Sequence, residues 1–375
     1  MTVLVWGLAD YGKPRTRILV ANLERRARVR RMTLSPWGGV EDKSRLREWR
    51  RIVRILVIML FAYPTLVARF LASPKPDILF VPYLGVIDVL VIWPFARMRG
   101  VPVAWDAFLS LYDTIVIDRA LIRPGGAMAR LVRLIEGVAC RAADVILVDT
   151  DEHGRYFEAA YAGARKKTRA VLVGAELEIF NAALEGAETS PARPFRALFY
   201  GQCIPLHGVR VILEAAALAV DDQSIEWSII GDGQEADVIE RFLGSRPLPM
   251  LNWERWVPYE TLPARIAAAD VCLGIFGDSE KAGRVIPNKV FQYVAMEKPF
   301  ISRDSSAMRE LFSPDDDGVW LIEAGSPEAL LAAVRDAQNA IYGRDASLRP
   351  LHSGARARIA SEALADDLFA ALCAA

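Results

Sequence analysis

Short apolar runs alternate with helical stretches along this whole chain, and the alternation stops once and restarts. Val3–Trp6, Val29–Leu34, Ile78–Val81, Val103–Trp105, Val145–Val148 and Ala170–Val173 read as strands, most of them separated by longer helical patterns. Alternation of this kind calls for parallel βαβ units. Residues 183–195 are small, polar and proline-containing, the composition of a linker. After them the series resumes: strands at Ala197–Tyr200, Trp227–Ile230, near 250–253, Val271–Ile275, Phe300–Ser302 and Val319–Ile322, with helices at 208–220, 234–244, 260–268, 288–296 and 326–340. The expectation is an α/β protein of two Rossmann-like domains, 1–182 and 196–354, facing across a cleft. A last amphipathic helix within 355–375 is expected to pack back on the first domain. In such open parallel sheets, ligands bind where the strands end.

With 375 residues and 53% hydrophobic content, the chain can bury two cores. Charge balances overall but not along the sequence. Residues 1–190 carry 28 Lys+Arg against 20 Asp+Glu, net +8, and residues 191–375 carry 18 against 26, net −8. A basic first half suits an anionic surface or substrate, or simply complements the second half. Cys140, Cys203, Cys272 and Cys373 are widely spaced without a CxxC, as in a reduced cytoplasmic protein. His153, His207 and His352 have no metal-ligand spacing, so no structural zinc is expected. The N-terminal MTVLVWG reads as a strand rather than a signal peptide.

Residues 52–72 are long enough for a bilayer, but Arg54 and Arg69 lie inside and Pro64 interrupts the middle. Arg45, Arg47, Arg50 and Arg51 precede them. Two readings stand side by side: a helix lying in an anionic membrane interface, or a buried helix with a basic solvated end.

The richest stretch for chemistry runs from Asp270 to Ser302. Lys281, Arg284 and Lys289 fall between a strand's carboxyl end and the first turn of a helix opening after Pro287 and Asn288. Helix N-termini attract anions, so three cations there suggest a phosphate-bearing ligand, against the plain alternative of a solvated loop. Two more strand ends carry glycines: Gly201, followed by His207–Gly208, and the turn holding Gly231 and Gly233. A glycine there lets backbone approach a ligand.

Taken with FQYVAMEKPFIS (291–302), these pieces resemble the second domain of the GT-B retaining glycosyltransferases of family 4, and most closely a bacterial subgroup with IPLHG (204–208) and RVIPNKV (284–290). The resemblance covers about 140 residues. It implies transfer of a sugar from a nucleotide diphosphate-sugar, with retention and without a metal, to a lipid-linked or glycan acceptor in envelope or exopolysaccharide synthesis. It implies donor-binding roles for Gly201, His207, Gly208, Gly231, Gly233, Val257, Pro287, Asn288, Lys289 and Gln292. It implies charge stabilisation by Lys281 and Arg284. The family's glutamate pair is missing: Arg284 and Gln292 stand in those places, and His207 replaces a common lysine.

In the first half the resemblance is thinner. Asp106 falls near the family's catalytic histidine, and Ser110 and Asp113 follow it. Gly12 and Arg15 follow the first strand where the family's glycine loop lies, giving an acceptor-binding set of Gly12, Arg15, Ser110 and Asp113. Capping of a helix is the other reading of Asp106. The partners expected are the donor, the acceptor and an anionic membrane surface on the cytoplasmic side, with no nucleic acid. The alternatives are a non-catalytic nucleotide-binding or scaffolding protein on a degenerate GT-B fold, and a GT-B epimerase or phosphorylase. A dinucleotide oxidoreductase is disfavoured by the absence of GxGxxG after Trp6.

Overall fold

Runs such as ILFV at 78–81 and VILV at 145–148 bury every side chain, the mark of a parallel strand covered on both faces. A computed structural model describes residues 1–35, 49–182, 192–342 and 351–374, with the side chains of 49–56 left out. Arg45 and Arg47, and residues 183–191 of the expected linker, lie outside the described residues, as do the side chains of Arg50, Arg51 and Arg54. Contacts divide the chain into two units, 1–174 with 359–375, and 175–358.

The first unit is a six-stranded parallel sheet in the order β2-β1-β3-β4-β5-β6. Its strands are β1 (Thr2–Leu8), β2 (Arg28–Leu34), β3 (Ile78–Val81), β4 (Val103–Phe108), β5 (Val145–Val148) and β6 (Thr168–Ala170). Its helices are α1 (Pro14–Arg26), α2 (Trp49–Ala72), α3 (Val86–Arg99), α4 (Ala127–Ala142) and α5 (Asp151–Ala160). Leu66 and Phe70 of α2, Val89 and Ile92 of α3, Ala139 of α4 and Phe157 of α5 share one core with Trp6, Val81 and Trp105. The opposite sheet face (Val3, Val5, Phe80, Leu147) packs against Leu19 and Leu23 of α1 and Leu368 and Leu372 near the C-terminus.

The second unit repeats the plan, in the order β12-β11-β10-β7-β8-β9. Its strands are β7 (Phe195–Tyr200), β8 (Ile225–Ile230), β9 (Leu251–Glu254), β10 (Val271–Leu273), β11 (Phe300–Arg303) and β12 (Val319–Ile322). Its helices are α6 (Val209–Leu218), α7 (Ala236–Ser245), α8 (Leu262–Ala268), α9 (Glu280–Gly283), α10 (Asn288–Ala295) and α11 (Pro327–Tyr342); α12 (Ser353–Ile359) and α13 (Ser361–Cys373) follow. Strand order reverses between β1 and β3 in one sheet and between β7 and β10 in the other, so each unit has one switch point.

Three elements differ from the sequence reading. The sixth strand is β6, ending at Ala170; Val171–Val173 continue as buried chain, and the Val171 carbonyl accepts from a side chain instead of a ladder partner. β10 is shorter than the expected run, Val271–Leu273, although Gly274 N–H still donates to the Ile301 carbonyl at 2.8 Å; Gly274 crosses so close to Ser302 that a Cβ would lie 2.4 Å from its hydroxyl. The expected last helix is two, broken at Ala360 in extended conformation.

Pro64 lies inside α2 without ending it. Among the described residues no helix is long and apolar enough to cross a membrane. Cys140, Cys203 and Cys272 are buried and Cys373 is exposed, all as free thiols.

Candidate functional site

The switch point of the second unit gathers the densest set of chemistry-bearing residues. Gly201 follows β7 with φ +141°, and a Cβ there would meet Lys289 Nζ at 3.1 Å and His207 Cε1 at 3.3 Å. The turn after β8 presses on the same loop: at Gly231, φ +151°, a Cβ would lie 1.8 Å from the Gly201 carbonyl oxygen. No side chain fits, so glycine is required there. Backbone bonds lock the two loops together, Cys203 N–H to Asp232 O at 2.9 Å and Glu235 N–H to Cys203 O at 2.8 Å. Gly233 lies in this turn, and Gly208 caps α6 so near residue 277 that a Cβ would be 2.5 Å from the Gly277 nitrogen. The structure thus brings Gly201, His207, Gly208, Gly231, Gly233 and Lys289 together.

Lys289 stands in the first turn of α10, whose N-cap is Pro287 and whose first residue is Asn288. Its side chain is buried, donates to the Gly274 carbonyl at 3.3 Å and sits 3.7 Å from the centroid of the Phe199 ring. No carboxylate among the described residues pairs with it. Burial pushes its ammonium well below the ordinary lysine range, against a smaller opposing pull from Cys203. A cation held dry at strand ends and over an aromatic face is primed for an anion.

The other predicted cations sit differently. Lys281 is buried in α9, a helix opened by the Ser279 hydroxyl accepting from Ala282 N–H at 3.2 Å. Arg284 caps α9 and pairs with Glu280 at 3.3 Å. Arg303, which sequence reasoning passed over, holds the loop between β10 and α9 by donating to the Gly277 and Ser279 carbonyls. Gln292 has both ends of its amide engaged: its oxygen accepts from Tyr200 Oη, and its nitrogen donates to Tyr259 Oη at 3.2 Å. Tyr259 in turn donates to Glu176 at 2.8 Å, which puts a carboxylate one residue away from Gln292. Nothing in the sequence signals Glu176, which lies 116 positions earlier. Val257 is half-buried in the loop after β9, next to exposed Trp256.

In the first unit, Arg15 and Asp106 meet in the interior. Arg15 Nε donates to Asp106 Oδ1 at 2.9 Å, and its Nη atoms reach the Val171 and Val148 carbonyls at 2.9 and 3.3 Å. Arg15 is 1% exposed and Asp106 not at all, so the pair ties α1 to β4, β5 and the chain beyond β6. Asp106 caps no helix. Burial pushes its carboxyl up, against the pull of Arg15. Gly12 sits in a turn, donating its N–H to Asp10 at 3.1 Å.

Ser110 donates to Glu136 of α4 at 2.8 Å and accepts from Asp113 N–H at 3.1 Å. Glu136 is the hub that sequence reasoning missed: it also accepts from Leu111 N–H, Tyr112 N–H and Tyr161 Oη. Its signal was an acid on the apolar stripe of an amphipathic helix. A second missed pair is Asp149 with His153 Nδ1, 2.8 Å apart and fully buried. At this unit's switch point Asp88 accepts from Leu8 N–H at 2.7 Å, and burial pushes its carboxyl up to about 6. Among the described residues no group of three His, Cys, Asp or Glu is placed to hold a metal ion.

Residues 194–339 match the family model described as Glycosyl transferases group 1. No curated protein matches the chain. Among solved structures, Anabaena Alr3699/HepE in complex with UDP is similar at TM-score 0.70 and 13% identity, covering 100% of both chains. Sucrose-phosphate synthase (tll1590) from Thermosynechococcus elongatus is similar at TM-score 0.71 and 14% identity, also covering 100% of both. The apo form of the lipopolysaccharide outer core galactosyltransferase WaaB is similar at TM-score 0.62 and 15% identity, covering 100% of this chain and 99% of that one. At such identities the likeness is one of fold, the two Rossmann-like domains of GT-B architecture. The activity therefore rests on the second unit, where residues 194–339 are those of a group 1 glycosyltransferase domain.

Proposed function

We propose that this chain transfers a sugar from a nucleotide diphosphate-sugar, with retention at the anomeric carbon, to a lipid-linked or glycan acceptor of the kind used in bacterial envelope or exopolysaccharide synthesis. The observation that carries the donor half is Lys289: a buried lysine that pairs with no carboxylate among the described residues, at a switch point, against a glycine that clears space beside it. Leaving-group departure builds negative charge on the β-phosphate, and catalysis rests on stabilising that charge. Lys289 and the amide groups opening α10 meet that need, and in this reading no step is routed through a metal. Lys281 and Arg284 add positive potential nearby. Gln292 and Glu176, joined through Tyr259, offer hydroxyl-binding groups for the donor. The UDP named in the HepE complex makes uracil the first base to try.

The acceptor half rests on the basic first half of the sequence and on α2, whose Leu60 and Phe61 are exposed. Asp106, Gly12, Arg15, Ser110 and Asp113 would act there, the buried Arg15–Asp106 pair by shaping the wall rather than by touching substrate.

A second reading has an observation behind it. Arg284 is paired with Glu280 and Gln292 with two tyrosines, which suits a nucleotide-binding scaffold without turnover. One pair of measurements separates them. UDP, GDP and ADP are screened by thermal shift; a ligand at 100 times its Kd adds about 2.7 kcal/mol. Nucleotide sugars with a membrane lipid extract are then searched for a mass-shifted lipid. Stabilisation with product supports the transferase, stabilisation without product supports the scaffold, and no stabilisation by any nucleotide sinks both.

A further inference from the structure

α2, α3 and α4 lie side by side on one face of the first sheet, since residues of all three enter the same core. Their outer surface is unusual in two respects. First, their sequences hold only two acids, Asp88 and Glu136, and both are buried. Second, large apolar side chains point outward: Leu60 and Phe61 on α2, Trp93 and Met98 on α3, and Leu131 and Leu134 on α4 are all exposed. Isolated exposed apolar residues are ordinary, but a run of them across three neighbouring helices is not.

A surface cavity of about 310 Å³ opens beside this face, between α4 and the turn after α5. Arg130, Arg133 and Arg141 line it, with Leu134 at the edge and Tyr161 and Ala162 opposite. None of the three arginines pairs with a carboxylate among the described residues; Arg133 rests 5.7 Å from the centroid of the Tyr112 ring. On the α4 helix the arginines occupy one side and Leu131, Leu134 and Val138 the neighbouring one, so cationic and apolar stripes run in parallel.

We propose that the α2–α4 face docks on an anionic phospholipid bilayer, with the arginine-lined cavity of α4 receiving lipid phosphate groups and the apolar stripe entering the interface. Three uncompensated guanidinium groups fit phosphate, in the bidentate geometry that arginine favours. The adjoining Leu, Met, Phe and Trp side chains fit the acyl boundary. A second copy of the chain is a poorer occupant, because it would set its own arginines against these without an exposed acid to meet them. The proposal deepens the membrane-borne acceptor of the proposed function and rests on that reading for its use, though binding is measured without turnover.

The test is co-sedimentation of the full chain with vesicles of phosphatidylcholine, with and without phosphatidylglycerol. Retention is expected only on the anionic vesicles, and is expected to weaken with salt. The variant R130Q/R133Q/R141Q should lose roughly 100-fold in partitioning, at about fivefold per arginine near the surface. L131S/L134S should weaken retention in a salt-independent way. Both variants should keep the thermal shift given by UDP, which shows that they fold and keeps this question apart from donor binding. The idea is overturned if the arginine variant partitions like the wild type, if neutral vesicles retain the chain equally, or if the face is buried in a dimer in solution. If vesicles bind but no sugar is transferred, the surface stands and the proposed function falls.

Discussion

Two buried charges make opposite predictions. Lys289 meets no carboxylate among the described residues, and burial holds its ammonium down. A phosphate beside it would raise its pKa, and binding would then take up a proton. Nucleoside diphosphate affinity is therefore expected to fall as pH rises from the lysine's lowered value in the free protein to the value it regains beside phosphate. Calorimetry in buffers of different ionisation heat would show that uptake; no pH dependence would argue against the contact. Lys289→Met should cost roughly 10-fold or more in affinity, at about 1.5–3 kcal/mol for a charged hydrogen bond, yet leave the free protein as stable or more so. Asp106 and Arg15 behave otherwise because each has the other. Arg15→Met or Asp106→Asn alone should cost about 3–5 kcal/mol in urea unfolding, and the double variant less than the sum. Additive costs would mean the two do not interact. Sequence reasoning found both residues but gave Asp106 a catalytic place and Arg15 an acceptor-binding one. What it could not supply was the pairing, because 91 positions separate them and only the sheet brings them together.

At the scale of elements, legibility followed periodicity. β12 and the start of α10 sit where the sequence put them, because a four-residue apolar run and a Pro before a helix are local signals. β6 slid toward the N-terminus because an apolar run shows burial, not hydrogen-bonded pairing. The last helix split because amphipathic periodicity carries across a one-residue break. The glycine turns were legible as turns, but not what they press against. The Gly231 turn is the sharpest case, since Gly201 lies across it with no space between. Gly231→Ala should cost more than about 3 kcal/mol through combined backbone strain and collision. It should also abolish UDP binding. A variant that melts with the wild type would show that the two loops can part.

For the whole molecule, the chain leaves the first unit at residue 174 and returns to it at 359. α13 packs on α1, and Leu368 and Leu372 bury against the sheet face that holds Val3, Val5 and Leu147. Deleting residues 359–375 should destabilise the first unit by roughly 5 kcal/mol or more, at about 1.5–3 kcal/mol per buried leucine. The second unit, continuous from 175 to 358, should keep its own melting transition and its response to UDP. Loss of both together would mean that the two units do not fold separately. The alternation of runs foretold two sheets, and the terminal amphipathic pattern foretold a helix with one face to cover; which strands that face meets needs the third dimension.

That late return has a price in time. A ribosome finishes the first sheet well before it makes the helix that seals one side of it. At 5–20 residues per second, the intervening segment takes roughly 10–40 s to emerge. Through that interval Val3, Val5 and Phe80 have only α1 for shelter, so a nascent chain of this design leans on chaperones more than its finished stability would suggest.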